Sequence, residues 1–361
     1  MEKVFNAAFI GCGAIARKKH LPVCKADEHI RIRALYNRSK KAAEECRAQF
    51  GGEETYIAYS AEQIFADNNI DLVFIATAND SHCELAVKAL ESGKHVVCEK
   101  PMAINYTQAV KMYEASLSSG KLLHISYQNR YSQQARYAKR LIDEGFTGQI
   151  YCVKAHAIRR RAVPSWGRFT DKTVQGGGAL IDIGSHAIDL ALYLSGCTEA
   201  KYAVGCTYDL IGKAGSEANY WGAWETEKFT VEDSAFGFVR LDKNVSLSVE
   251  ASYAMNVSEE KEAVVDIYGE KGGIELKGDG SVVLVEEHGG KMTVSTDKIQ
   301  LTSRVTPPES SPIPFELEHA SYMKLLLDGN FSDPALKQAM TVSQIVDGIY
   351  LSAEKGIPIV F

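Results

Sequence analysis

The sequence predicts an α/β protein of two domains. The first carries a parallel sheet with helices on both sides, and the second is an α/β domain built on an open, mostly antiparallel sheet. Three observations predict this. The first 126 residues alternate between short apolar runs and helical segments. Asp71–Ala76 (DLVFIA) is a continuous apolar run, as expected of a strand buried on both faces. Beyond residue 150 come short β-type stretches, some separated by glycine pairs such as Gly272–Gly273 and Gly289–Gly290. The 361 residues suffice for about two domains, divided here as 1–126 and 127–361.

Taken in order, Val4–Ile10 is an apolar strand ending in Gly11, and Ile15 to Cys24 reads as a helix. Arg31–Tyr36 is the next strand, followed by a charged helix at Ser39–Phe50. Tyr56–Tyr59 is short, and Ser60 is placed to cap a helix over Ala61–Asp67. After Asp71–Ala76 come a helix at Ser81–Ser92 closed by Gly93, a strand at His95–Cys98, a helix at Asn105–Ser118 and a strand at Leu122–Tyr127. The second domain opens with a helix at Gln133–Glu144, a turn at Gly145 and Gly148, and a strand at Tyr151–Ala157. Residues 158–178 are irregular and rich in Arg, Gly and aromatics, and Ala179–Leu194 is helical. Strands are expected at 200–208, 234–241, 245–253, 262–268 and 281–287. A Pro/Ser-rich surface loop is expected at 303–314, and helices at Phe315–Leu327 and Pro334–Ala353. A terminal helix is a candidate to return to the first domain.

Composition bounds the function. Apolar residues make up 45% and charged residues 24%, ordinary globular values. Forty Lys+Arg against 46 Asp+Glu give −6, which argues against nonspecific nucleic-acid binding but leaves room for a local basic pocket. No stretch approaches the roughly 18 apolar residues of a membrane span. The N-terminus lacks the long apolar core of a signal peptide. A cytoplasmic protein with no membrane partner is expected. None of the eight cysteines forms a C-x-x-C pair, so reduced, mostly buried thiols and no metal site are expected.

Gly11-Cys-Gly-Ala-Ile-Ala16 is G-x-G-x-x-A between a predicted strand and a predicted helix, the context a dinucleotide loop requires. Gly11 permits the tight turn, Gly13 lets the backbone approach a pyrophosphate, and Ala16 keeps helix and strand close. Ala14 and Ile15 open the helix whose N-terminus would hold the diphosphate. A glycine turn without a ligand is the plain alternative. The second strand runs into Tyr36-Asn37-Arg38-Ser39-Lys40, with no carboxylate to bind ribose hydroxyls. Arg38 and Lys40 suit a 2′-phosphate and Ser39 can donate to it, so NADP is favoured over NAD. The alternative is a solvated helix start with Ser39 as N-cap.

Lys100 follows the fifth strand, at the carboxyl edge of the sheet where ligands of such folds bind. It can orient a hydroxyl or carbonyl and exchange a proton with it, or be a surface lysine beside a turn. In GGGALIDIGSHAIDL (176–190), Asp182 and His186 lie one helical turn apart on one face. A carboxylate in an apolar stretch needs a partner or a job. His186 can shuttle protons near neutral pH, with Asp182 setting its orientation; a satisfied core pair is the alternative. Asp189 reads as a capping or core group. Arg159, Arg160, Arg161, Trp166, Arg168 and Phe169 suit a sugar or carboxylate pocket and equally a subunit contact. Arg130 and Tyr131 follow the last strand of the first domain.

Together these residues resemble the Gfo/Idh/MocA family, relatives of glucose–fructose oxidoreductase and inositol dehydrogenase, over nearly the whole chain. The carriers are GCGAIA at 11–16, ATANDSH at 76–82, GKHVVCEKP at 93–101 and GGGALIDIGSH at 176–186. The resemblance implies a Rossmann-like NAD(P)-binding domain and a second domain whose sheet face forms an oligomer interface, hence a homodimer or homotetramer. It implies Lys100 as the catalytic lysine and Asp182 and His186 as the D-x-x-x-H pair, His186 being the acid/base. Asn79, His82 and Glu99 would line the nicotinamide end, with Ala76 and Thr77 of the same segment. Arg130, Arg160 and Trp166 join Lys100, Asp182 and His186 as the expected substrate set. Ala78 departs from a frequent Pro, which affects loop stiffness. Asn37-Arg38 departs from the acidic ribose binder, which puts NAD preference in doubt. The segment from Val163 to Lys172 resembles a branch associated with sugars. The expected reaction is hydride transfer between nicotinamide and a secondary alcohol or ketone of a sugar, sugar derivative or cyclic polyol. A glycosidase that oxidises its sugar transiently and a non-catalytic NAD(P)-binding sensor are the alternatives. Retention of Lys100, Asp182 and His186 together argues against the sensor.

Overall fold

The computed structural model describes residues 3–298 and 313–361, and every structural statement below concerns those residues. Residues 303–312 of the expected Pro/Ser-rich loop lie outside them. Two compact units make up the chain. The first runs to Ala103, includes Thr107–Gln128 and takes in the late segment that ends at Leu336. The second holds Ile104–Tyr106, the stretch beginning at Asn129, and Lys337–Phe361. The chain therefore passes between units more than once.

In the first unit, β1 (Phe5–Ile10), β2 (Ile30–Tyr36), β3 (Tyr56–Ile57), β4 (Leu72–Ile75), β5 (His95–Glu99) and β6 (Leu123–Ser126) pair in the order β3-β2-β1-β4-β5-β6. All five pairings are parallel. β4 and β5 are buried at every position; β4 is apolar on both faces, and β5 is apolar between His95 and Glu99 at its ends. Phe9 stacks on Phe74 across β1 and β4 with centroids 4.4 Å apart. The order reverses between β1 and β4, so the carboxyl ends of these strands form a switch point where ligands bind. Ser60 caps the helix Ala61–Ala66, its hydroxyl accepting from the Gln63 amide at 3.3 Å.

A buried ionic cluster holds the late segment of this unit to its sheet. His124 on β6 faces two carboxylates, Asp333 at 2.7 Å and Glu318 at 3.4 Å. Burial opposes charging of the imidazole, but Asp333 and Glu318 outweigh it and push its pKa up to about 10. Glu318 comes from the helix Ile313–Leu327, which also packs Tyr322 against the His124 ring.

The second unit contains a nine-stranded sheet. Its strands are β7 (Ile150–Ile158), β8 (Ala200–Tyr208), β9 (Ser234–Leu241), β10 (Ser246–Ser252), β11 (Lys261–Gly269), β12 (Gly272–Leu276), β13 (Ser281–His288), β14 (Lys291–Lys298) and β15 (Ile359–Val360). They lie in the order β14-β13-β12-β11-β7-β10-β9-β8-β15, and β7 with β10 is the parallel pair in an otherwise antiparallel sheet. Three strands escaped the sequence reading. Gly272–Gly273 opens β12 instead of separating strands, because a side chain at Gly272 would press on Phe146 at 2.9 Å. Gly289 and Gly290, both with positive φ, form the two-residue turn joining β13 to β14. β15 is a two-residue edge pairing too short to announce itself.

The described cysteines are all free and mostly buried as expected, with Cys152 half-buried and Cys206 exposed. No helix of the described residues is long and apolar enough to cross a membrane. Among the same residues no cluster of His, Cys, Asp or Glu is placed to hold a metal.

His124→Gln leaves two buried carboxylates without their cation and should lower unfolding free energy by about 3–5 kcal/mol at pH 7. Because the folded pKa is raised, the imidazolium contribution is full below about pH 6.5, the unfolded value, and is lost as pH rises through about 10. Urea denaturation at several pH values checks both points. A wild-type stability that does not fall faster than the variant's over that range would contradict the assignment.

Candidate active site

The glycine loop of the first unit is shaped by close approach. Gly11 has φ +103°, and a Cβ there would lie 2.2 Å from the Ala76 carbonyl oxygen. Gly13 is exposed, and a Cβ there would meet nothing within 4 Å. Ala14 is exposed beside it, Ile15 half-buried and Ala16 buried, so the helix start is open to a ligand on one side only. This cradle fits a dinucleotide pyrophosphate, whose charge the unpaired N–H groups of the helix start would meet. The helix opens as a wide π-turn, Ala16–His20.

Asn37, expected at the ribose, braces the loop from the side. Its Oδ1 accepts from the Cys12 amide at 3.1 Å, and its Nδ2 donates to the Ser39 carbonyl at 3.2 Å. Arg38, Ser39 and Lys40 are exposed. Ser39 occupies the N-cap position of the helix Lys40–Phe50, but its hydroxyl makes no capping bond. Lys40 lies 3.7 Å from Glu44.

At the carboxyl ends of β4 and β5 the structure brings together Ala76, Thr77, His82, Glu99 and Lys100. Thr77 and Ser81 share a hydroxyl hydrogen bond of 2.7 Å, and Asn79 is buried in the same turn. His82 is fully buried, with Nδ1 2.9 Å from the Pro101 carbonyl and Nε2 3.3 Å from the Thr77 carbonyl. Burial holds its pKa below the usual range. A neutral His82 can donate from one nitrogen only, and the shorter contact assigns that bond to Pro101. His82 thus ties two loops together rather than facing outward. Glu99 is also buried. Its Oε1 meets His20 Nε2 at 2.7 Å, and its Oε2 accepts from the Lys100 amide at 3.1 Å. Burial pushes the Glu99 carboxyl up, yet His20 and the nearby charge of Lys100 bring it below its ordinary value. Lys100 is half-buried and precedes a cis bond to Pro101. The sequence reading missed His20. Its signal was a histidine one turn beyond Ala16 on the loop's own helix.

The second unit positions Asp182 and His186. A short helix at Lys172–Gln175 ends at Gly176, and a π-turn at Leu180–Gly184 leads into the helix Ser185–Ser195. A Cβ at Gly178 would lie 2.0 Å from the Glu232 carbonyl oxygen, so glycine is required there. The Glu232 carboxylate is buried and accepts from the Gly178 amide (2.8 Å), the Leu180 amide (2.9 Å) and the Tyr350 hydroxyl (2.8 Å). Burial raises its pKa against the pull of these donors. Glu232 was missed by the sequence reading. An acidic pair, Glu232–Asp233, ahead of an apolar strand was the available sign.

Asp182 is half-buried, and its Oδ2 accepts from the Tyr253 hydroxyl at 2.8 Å. Tyr253 is fully buried, and burial together with Asp182 pushes its phenol well above the ordinary range. It therefore stays a proton donor to the Asp182 side chain. His186 is half-buried on the following turn.

Two expected substrate contacts turn out differently. Arg130 is buried, and its Nε and Nη2 form a fork on Asp189 at 2.7 and 2.5 Å. Asp189 is fully buried on an apolar helix and needs this partner, so Arg130 is committed inside the unit. Arg160 is exposed, with its amide on Glu260 at 2.7 Å and Nη2 on the Ser258 carbonyl at 2.9 Å. Trp166 is half-exposed in an aromatic group with Phe169 and Trp221.

A parallel sheet with a glycine cradle at its switch point, joined to an α/β unit that carries an Asp–His helix, defines the class: an oxidoreductase with a dinucleotide-binding Rossmann domain. The chain belongs to the Gfo/Idh/MocA family. The model described as "Oxidoreductase family, NAD-binding Rossmann fold" matches residues 5–127, and the "GFO/IDH/MocA C-terminal domain" matches residues 135–275. The chain is 29% identical over 355 residues to D-glucoside 3-dehydrogenase of Escherichia coli (strain K12), covering 97% of this chain and 96% of the relative. It is 28% identical to a putative UDP-kanosamine synthase oxidoreductase subunit of Amycolatopsis mediterranei (strain S699), covering 96% of each. A solved levoglucosan dehydrogenase in complex with NADH shares the fold, with a TM-score of 0.83 at 21% identity over 99% of both chains.

Two glycine variants separate folding from binding. Gly178→Ala should cost about 3 kcal/mol through overpacking against Glu232, read by urea denaturation. Gly13→Ala should leave the melting temperature unchanged and weaken NAD(P)H binding, read by reduced-nicotinamide fluorescence. Unchanged binding in the latter would remove Gly13 from the cofactor cradle.

Proposed function

We propose that the chain is an NAD(P)-dependent dehydrogenase or reductase acting on a secondary alcohol or ketone of a sugar, sugar derivative or cyclic polyol. The observation that carries this is Asp182: a half-buried carboxyl group on a glycine-anchored helix, held by the Tyr253 hydroxyl at 2.8 Å, one turn from His186. The names of the relatives, a D-glucoside 3-dehydrogenase among them, support a sugar as substrate.

Bound nicotinamide supplies the hydride acceptor or donor. The chain supplies proton handling and charge. In oxidation, His186 takes the hydroxyl proton of the substrate. The Lys100 ammonium hydrogen-bonds the same oxygen and stabilises its developing negative charge. Asp182, one turn away, orients the imidazole. Reduction reverses these roles. Glu99 binds the Lys100 amide and so sets where the lysine stem begins.

NADP is the preferred cofactor on this reading. The exposed Arg38, Ser39 and Lys40 and the lack of a carboxylate at Asn37 support it. Residues 1–126 act as the cofactor domain and 127–361 as the substrate domain. The outward Tyr202, Val204, Tyr208 and Phe238 of β8 and β9 support a homodimer or homotetramer through that sheet face. The free thiols of the chain support a reducing, cytoplasmic setting.

The test is absorbance at the reduced-nicotinamide band with a panel of sugars, inositols and keto-sugars and both cofactors. Lys100→Met should retain cofactor binding and lose about a hundredfold or more in turnover; near-normal turnover would remove Lys100 from the mechanism. Arg38→Ala should raise the KM for NADP several-fold and leave that for NAD unchanged. A wild type with a clear NAD preference sinks the cofactor assignment. Hydrolysis of a glycoside with no net NAD(P)H would replace the dehydrogenase with the transient-oxidation reading.

A further inference from the structure

An aromatic group in the second unit has no part in the chemistry above. Trp166 meets Trp221 edge to face with centroids 4.8 Å apart, and Tyr220 lies 5.8 Å from Trp221. The Arg159 guanidinium sits over the Trp221 ring at 5.2 Å. Trp166 is 50% exposed and Tyr220 81%, so their apolar surface meets water.

These exposed rings sit on a pinned loop. Asn219 is buried; it donates to the Val163 carbonyl at 2.9 Å and the Gly222 carbonyl at 2.7 Å, and accepts from the Val163 amide at 2.9 Å. The Tyr220 amide donates to the Arg161 carbonyl at 2.9 Å, and the Ser165 hydroxyl donates to the Trp221 carbonyl. The same segment is fastened to the partner of Asp182. The Arg159 amide bonds the Ser252 carbonyl at 2.9 Å, the Ala162 amide bonds the Tyr253 carbonyl at 2.8 Å, and Tyr253 holds Asp182. One framework therefore orders both the aromatic faces and the carboxylate.

Resting on the sugar-oxidoreductase reading, we infer that Trp166, Trp221 and Tyr220 form a second subsite. It takes the ring or aryl group linked to the sugar that is oxidised, so the substrate is a glycoside and not a free monosaccharide. Rigid aromatic faces match the C–H face of a pyranose or an aryl aglycone and bind it with little ordering cost. Charge favours a neutral occupant over a diphosphate. The Arg159 guanidinium pairs with Glu262, the Arg160 main-chain amide bonds Glu260 and its guanidinium the Ser258 carbonyl, and the Arg161 guanidinium bonds Asn256 and the Arg160 carbonyl. Each guanidinium thus has at least one partner within the protein, and the acidic Glu259, Glu260 and Glu262 lie along the segment that supplies several of those partners.

Tryptophan fluorescence of the full chain, titrated without cofactor, tests this directly. Phenyl β-D-glucopyranoside and cellobiose should bind about tenfold tighter than glucose. Trp166→Ala and Tyr220→Ala should each remove most of that preference, and Tyr220→Ala, at an 81% exposed position, should leave glucose and NAD(P)H binding unchanged. Equal affinities for glucose and the glycosides, or a preference intact in both variants, overturns the subsite. Tighter binding of UDP-glucose than of phenyl glucoside overturns the neutral occupant. A changed oligomeric mass in both variants with the sugar preference intact assigns the rings to a subunit contact and overturns it as well. The titration needs no turnover. An enzyme that binds glycosides but oxidises no sugar would fail the proposed function and keep the subsite.

Discussion

The second unit depends on one buried carboxylate. Glu232 takes the amide hydrogens of Gly178 and Leu180, which begin a helix and have no partner within it. It can reach them only because residue 178 has no side chain; a Cβ would overlap the Glu232 carbonyl. The glycine run and the distant glutamate are therefore two halves of one constraint. Farther along the same helical segment, Asp189 is gripped by the Arg130 fork. Between these two anchors lie Asp182 and His186, left half-buried where the rest of the helix is packed. Burying three carboxylates on or against one helix is costly, and each is offset by its own donors: backbone amides for Glu232, a phenol for Asp182, a guanidinium for Asp189.

The first unit solves a similar problem with histidine. Lys100 needs a defined backbone at the sheet edge. Glu99 holds its amide, His20 holds Glu99, and His82 bonds the carbonyl of Pro101 just beyond. His20 comes from the glycine-loop helix, so the loop that would receive the cofactor and the strand end that carries Lys100 share a buried hydrogen bond. Deeper in the unit, His124 takes its charge from Asp333 and Glu318 and fixes a segment that returns late in the chain. Here the imidazoles act as braces. His186 of the second unit, the proposed acid/base, is instead only half-buried.

Arg130 and Trp166 show how a residue's neighbours decide between chemistry and architecture. Both had the right type and position for a substrate contact. Arg130 is drawn inward because Asp189, fully buried, outbids any solvent-side ligand for its donors. Trp166 instead packs its ring against Phe169 and Trp221 and keeps half its surface in water.

The amino-acid sequence by itself determined the alternating order of the first unit, the glycine loop, the E-K-P lysine and the Asp-x-x-x-His pair. Each of these is written in local periodicity or in spacings of a few residues, which short-range geometry converts directly into strands, turns and one-turn neighbours. Only the tertiary structure decided which partners those groups have. Glu232 stands 54 residues from Gly178, Tyr253 stands 71 from Asp182, and His20 stands 79 from Glu99. The same holds for β12, whose Gly272–Gly273 pair reads as a break but lies within the strand. Buried polar groups are satisfied by whatever donor the fold delivers, and no local pattern records which donor that is.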